Sequence, residues 1–165
     1  MSTEFAETDR IASLEIDDAD LPPPSPEIDQ ERRVAVYELL EENRFRPSGA
    51  GEGPFEATLR VADNRIRIEA RPANGGAPLV VDAPLGSLKP IVGDYRAICD
   101  SYYAAVRNLP PSQIEALDQT RREVHQEGAA ALRKRLSEQA SMDEDAARRL
   151  FTLVCALMGA PSGAG

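Results

Sequence analysis

Tryptophan is absent from this chain, histidine occurs once, at His125, and aromatic residues make up only 5% of the 165 positions. A core drawn from such a composition has to be aliphatic, although 42% hydrophobic and 28% charged residues are ordinary for a soluble globular protein. The two cysteines, Cys99 and Cys155, are too far apart for a CxxC pair. On apolar helix faces, they read as two small core residues in a reducing compartment. No apolar run approaches the roughly 20 residues that span a bilayer, the best being Leu150 to Met158. With no charged-then-apolar signal opening the chain, a cytoplasmic location is expected. The glycines of Gly49 to Gly53 and Asn74-Gly75-Gly76 fit neither a P-loop nor GxGxxG, so they read as turns. No nucleophile signature is present. The sequence therefore predicts no catalytic residue, no cofactor and no metal site.

The net charge of −9 is unevenly spread. Ten acids fall in residues 1 to 31 against the single Arg10, so the rest of the chain sums to zero. The acidity belongs to a leader, and residues 1 to 9 are expected to be disordered. The only basic concentration, Arg133-Lys134-Arg135 with Arg148-Arg149, has Glu138, Glu144 and Asp145 nearby. It reads as solvated helix faces, and no nucleic-acid partner is expected.

Beyond the leader, Arg10 to Ile16 alternates as a short strand, and four prolines between Pro22 and Pro26 enforce an extended arm. A helix is predicted from Glu27 to Asn43. Phe55, Ala57, Leu59 and Val61 then alternate with polar residues, as do Ile66, Ile68 and Ala70. A two-residue turn at Asp63-Asn64 pairs Val61 with Ile66, and a turn at Asn74-Gly75 pairs Ala70 with Leu79 and Ile68 with Val81. Val61, Ile66, Ile68 and Val81 should be buried, with Arg60, Arg65 and Arg67 exposed.

After Pro84 the period becomes helical. Leu88, Ile91, Val92, Tyr95, Ile98, Cys99, Tyr102 and Val106 make one stripe, capped by Ser87 and ended before Pro110-Pro111. Ser112 is expected to cap a second helix running to Gln139, and Ser141 with Glu144 to form a capping box for a third. The whole is an α+β protein, an antiparallel meander whose apolar face is covered by about four helices, with one domain over residues 10–158 and a frayed tail at 159–165.

Certain runs are distinctive: Glu31-Arg32 through Val36, Leu39 through Pro47, Asp94-Tyr95 with Ile98-Cys99 and Ser101-Tyr102-Tyr103, Ile114 through Asp118 with Arg121-Arg122 and His125 to Gly128, and Ala147 through Leu153. In these the chain resembles an uncharacterised protein family of alphaproteobacteria over most of residues 27 to 157. The resemblance implies no activity and lends no catalytic residue.

One residue breaks the apolar pattern of the long helix. Ile114, Leu117, Val124, Leu132 and Leu136 share a face, and Arg121 lands in its middle with His125 one turn on. If the helices flanking Pro110-Pro111 pack antiparallel, Tyr95 comes level with His125, Cys99 with Arg121 and Tyr102 with Asp118. Asp94 then sits on the flank near His125, while Asp118 and Arg122 are i,i+4 neighbours. Arg121, Arg122, His125, Asp118, Tyr95, Tyr102 and Asp94 thus form a polar cluster. One reading is a buried ion pair that fixes helix register, since an unpaired buried charge is costly. Another is a pocket for a phosphate or carboxylate ligand, because planar guanidiniums bind such groups bidentately. General acid-base chemistry at His125, or a Cys99-His125-Asp94 metal site, fits the residue types less well. Gly128 in mid-helix costs about 1 kcal/mol relative to alanine, which close approach of another helix would repay. The composition leads to an interaction or regulatory protein without catalytic activity, partnering another protein or itself as a homodimer. The alternative is a small enzyme or anionic-ligand binder using Arg121 and His125. What separates them is whether Arg121 opens into a concave pocket or is sealed between helices.

Overall fold

The computed structural model describes residues 5–158. Ten elements follow one another: β1 Ile11–Ile16, α1 Pro26–Glu41, β2 Phe45–Pro47, β3 Phe55–Ala62, β4 Arg65–Pro72, β5 Leu79–Pro84, α2 Leu88–Asn108, α3 Pro111–Leu136, β6 Ala140–Met142 and α4 Glu144–Met158. The fold is α+β, with four helices on a mixed four-stranded sheet of order β1-β3-β4-β5.

The meander has the expected register. Val61 pairs with Ile66, Ile68 with Val81 and Ala70 with Leu79. Asp63 and Asn64 both take positive φ, 54° and 60°. Short polar side chains tolerate that left-handed geometry, and it matches the twist of the strands that the turn joins. Val61, Ile66, Ile68 and Val81 are buried, and Arg65 and Arg67 are exposed. Arg60 differs from expectation. It is half-buried because its guanidinium reaches Asp17 and Asp20 beyond the edge strand.

β1 is an edge strand, but it pairs with β3 in parallel, so the sheet is not wholly antiparallel. Parallel neighbours need a crossover of a dozen or more residues, and the proline arm with α1 supplies it. α1 starts on Ser25, whose Oγ accepts from Ile28 N–H at 3.2 Å, with Pro26 in the first turn. Just past the helix end, the buried Asn43 ties it to β1. Its Oδ1 accepts from Ile11 N–H at 2.8 Å, and its Nδ2 donates to the carbonyls of Ile11 and Leu39.

A second small sheet was not foreseen. β2 and β6 pair antiparallel, Phe45 with Met142 and Pro47 with Ala140, all buried. Ser141 is therefore a strand residue rather than a cap. The cap of α4 is Asp143, whose Oδ1 accepts from Ala146 N–H at 2.9 Å and whose carbonyl accepts from Ala147 N–H. α3 likewise begins at Pro111 with Pro110 at the cap position, two residues ahead of the expected Ser112, and ends at Leu136. Ser87 holds the cap position of α2 without a capping hydrogen bond.

Residues 1–4 and 159–165 lie outside the described residues, and with them the expected tail and the first part of the leader. Residues 5–9 of the expected leader make contacts with the domain. Asp9 is buried, its carboxylate accepts from Ala6 N–H and lies 3.7 Å from Arg46, and its carbonyl accepts from Phe45 N–H. Arg44 donates to the carbonyls of Ala6 and Glu7. The backbone here passes so close to Gly53 that any Cβ at that position would collide with the Thr8 carbonyl.

α4 is the hub of the core. Nine of its residues, from Ala146 to Leu157, are buried, and it packs on α1, α3 and β3. Each fully buried Leu, Val or Phe there contributes roughly 1.5–3 kcal/mol of transfer free energy. α2 and α3 form an antiparallel hairpin whose far end leaves the body. The predicted stripe of α2 is buried at Leu88, Val92 and Cys99 and half-buried at Tyr95 and Tyr102, whereas Val106 is 52% exposed.

Candidate functional site

The hairpin brings α2 and α3 together at nearly the expected levels. The Tyr95 and His125 rings lie 5.1 Å apart between centroids. Arg121 sits over Tyr102, its guanidinium carbon 4.8 Å from the ring centroid, which is a cation–π contact. Asp118 Oδ1 accepts from Arg121 Nη2 at 2.5 Å, and Asp118 Oδ2 is 3.3 Å from Arg122 Nε. The hydrogen bond from Arg121 holds the Asp118 carboxyl below its ordinary pKa.

The third wall comes from α4. Phe151 packs edge-on against both His125, at 5.3 Å, and Tyr95, at 5.8 Å. Gly128 makes this possible, because a Cβ there would collide with three carbons of the Phe151 ring. Close helix approach is thus what repays the mid-helix glycine. His125 takes its hydrogen bond from α4 as well, with Nε2 2.7 Å from Thr152 Oγ1. The Thr152 hydroxyl donates to the Arg148 carbonyl, so its oxygen accepts from His125 Nε2–H and Nδ1 is left as the ring's acceptor. Burial, with Arg148 and Arg121 nearby, lowers the His125 pKa to about 4, so the ring is neutral at pH 7. Burial also pushes the Tyr95 phenol up.

These groups line a cavity of about 460 Å³ between α3, α2 and the start of α4, walled by Tyr95, Arg121, Arg122, His125, Arg148 and neighbours. Arg121 is 29% exposed at its side chain and opens into this cavity rather than being sealed. Glu144 is the one acidic residue in a lining that holds three arginines. Among the described residues, Arg121 Nη1, Arg122 Nη1 and Arg148 Nη2 make no hydrogen bond to protein. Arg121 Nε is buried and likewise unmet.

Of the residues anticipated here, Tyr95, Arg121, Arg122 and His125 meet in the wall, and Tyr102 and Asp118 support Arg121 from outside it. Asp94 does not join them. It is exposed and absent from the lining, because a step of one residue from Tyr95 turns it about 100° around the helix. Arg148, Glu144 and Thr152 were not anticipated in the cluster. The basic Arg148-Arg149 pair was visible, but not that Arg148 would face α3 while Arg149 donates to the Glu42 carbonyl. Among the described residues no group of three or more His, Cys, Asp or Glu is arranged to hold a metal ion. Nor is any described helix long and apolar enough to cross a membrane.

The fold and this cleft define an α+β protein with an arginine-lined pocket at a three-helix junction. By sequence the chain belongs to the Uncharacterised protein family (UPF0262), whose model matches residues 8–159. It is 47% identical over 154 residues to the UPF0262 protein of Paracoccus denitrificans, covering 90% of this chain and 95% of that one. It is 45% identical over 153 residues to a UPF0262 protein of Ruegeria pomeroyi, with 90% and 95% covered. It is 45% identical over 157 residues to that of Caulobacter vibrioides, with 95% and 98% covered. The family description names no activity, in line with what the resemblance implied. No solved structure matches the chain.

Proposed function

We propose that this protein binds a small phosphate- or carboxylate-bearing molecule in the α2–α3–α4 cavity and does no covalent chemistry on it. The observation that carries this reading is that Arg121, Arg122 and Arg148 line one open cavity whose wall holds a single carboxylate, Glu144, while their partners Asp118 and Asp145 lie outside it. Guanidiniums present N–H groups in a plane that suits both anion types. The neutral His125 and Tyr95 add no charge to the wall, and the cavity volume lies in the range of small-molecule sites. A cytoplasmic setting belongs to this reading, supported by two buried thiols, Cys99 and Cys155, that remain unpaired.

Denaturant midpoints with and without millimolar inorganic phosphate or small organophosphates test it. An anion at 100 times its Kd stabilises the native state by about 2.7 kcal/mol. Arg122→Gln, at a largely exposed side chain, should abolish that gain while leaving the unliganded midpoint within about 0.5 kcal/mol. Arg121→Met and Arg121→Ala should both lose the gain too. If wild type gains nothing from any anion while Arg121→Ala is strongly destabilised and Arg121→Met is not, the cluster is architecture and the reading is wrong.

A second reading, docking to a second copy of the chain, is favoured by Tyr103 and Val106, exposed at i and i+3 near the end of α2, with exposed Leu109 just past it. Sedimentation of wild type against Val106→Glu tests it, and a wild type that stays monomeric at high concentration refutes it.

A further inference from the structure

We infer that the anion bound in this cavity carries an apolar chain, which lies along the groove between α3 and α4. This deepens the anion-binding reading and rests on it. A second cavity of about 380 Å³ runs on from the first, and the two share Gln126, Glu144 and Arg148 in their walls. Its chemistry is different. The floor is made by Ala129, Ala130 and Ala147, whose methyl groups leave a trough between the helices where larger side chains would close it. Ala129 and Ala147 are buried and Ala130 faces outward, so the trough reaches the surface. Arg133 and Lys134 form its rim, and such side chains lay their methylene stems on apolar surface while keeping their charges in water. From Arg121 to Lys134 the helical rise spans about 20 Å, so an elongated molecule reaches from the guanidiniums into the trough. One end of the combined groove is built for a negative head and the other for hydrocarbon, under a cationic rim that repels no anion. A free amphiphile such as an alkyl phosphate or alkyl carboxylate fits both ends at once.

Isothermal titration of the full chain with decyl phosphate below its micellar concentration, inorganic phosphate, decanol and anionic phospholipid vesicles tests this. Decyl phosphate should bind at least about tenfold tighter than inorganic phosphate, a gain that burying as few as two methylenes supplies. Ala130→Phe places a ring in the trough at an exposed position. It should cost decyl phosphate about tenfold while leaving inorganic phosphate unchanged. As an independent readout, nuclear Overhauser contacts should join the decyl chain to the Ala129 and Ala147 methyls. Equal affinities for the two phosphates, or an Ala130→Phe variant that binds decyl phosphate as wild type does, would overturn the inference and leave the anion site standing. Decanol binding as tightly as decyl phosphate, or capture by vesicles without binding of the monomeric probe, would also overturn it. If neither phosphate binds, the anion-binding reading itself has failed.

Discussion

Gly128→Ala is the sharpest single perturbation of this fold, because two large effects of opposite sign meet at one methyl group. In an exposed helix the change stabilises by about 1 kcal/mol. Here Gly128 is buried against Phe151, and a Cβ would stand 2.6 Å from one ring carbon and closer still to two others. Carbon atoms prefer separations of about 3.5–4 Å, so the ring would have to retreat by roughly an ångström. It has no room to do so, being fully buried with His125 and Tyr95 packed on it. Overpacking a tight core costs about 1–3 kcal/mol, and this site belongs at the upper end. After the helix-propensity gain, a net loss of about 2 kcal/mol is expected. In a chain of this size that lowers Tm by about 4–8 °C. Thermal and urea unfolding measure it. Adding Phe151→Leu should reveal a coupling of more than about 0.5 kcal/mol between the two positions, because the smaller side chain removes the collision. A Gly128→Ala variant more stable than wild type would refute the packing argument.

Two further outcomes follow from the same structure. His125 has a folded-state pKa of about 4 against 6.5 when unperturbed, so the unfolded chain binds the extra proton first as pH falls. The stability this ring contributes is complete above pH 6.5 and lost as pH falls to 4. The ceiling is about 3 kcal/mol, and partial exposure of the ring brings it to about 1–2 kcal/mol. Unfolding of wild type and His125→Gln at pH 7 and 4.5 checks this, and identical losses in the two proteins would contradict it. A chain starting at Arg10 should be about 1–3 kcal/mol less stable than the full chain, since Phe45 N–H loses its acceptor and Arg46 its carboxylate. Asp9→Ala should show part of that loss, and an unchanged midpoint in the truncated chain would mean that residues 5–9 contribute nothing.

What could be read from the sequence is what depends on near neighbours. The meander was legible to the exact pairing of Val61 with Ile66 and Ile68 with Val81, because a period of two and a two-residue turn leave one register that buries the apolar set. The α2–α3 hairpin was legible for the same reason. A short connection sets the level of facing residues, and that level brings Tyr95, Tyr102, Asp118, Arg121 and His125 together. Elements far apart in the chain carried no such constraint. The pairing of β2 with β6, the parallel seat of β1 and the docking of residues 5–9 all join segments whose contacts no local period encodes. The site shows the same division. α3 by itself determined a misplaced arginine and a mid-helix glycine, and only the tertiary structure decided what they serve. It did so by laying α4 against α3, where Phe151 fills the space over Gly128, Thr152 holds His125, and Arg148 turns a polar seam into a cationic cavity.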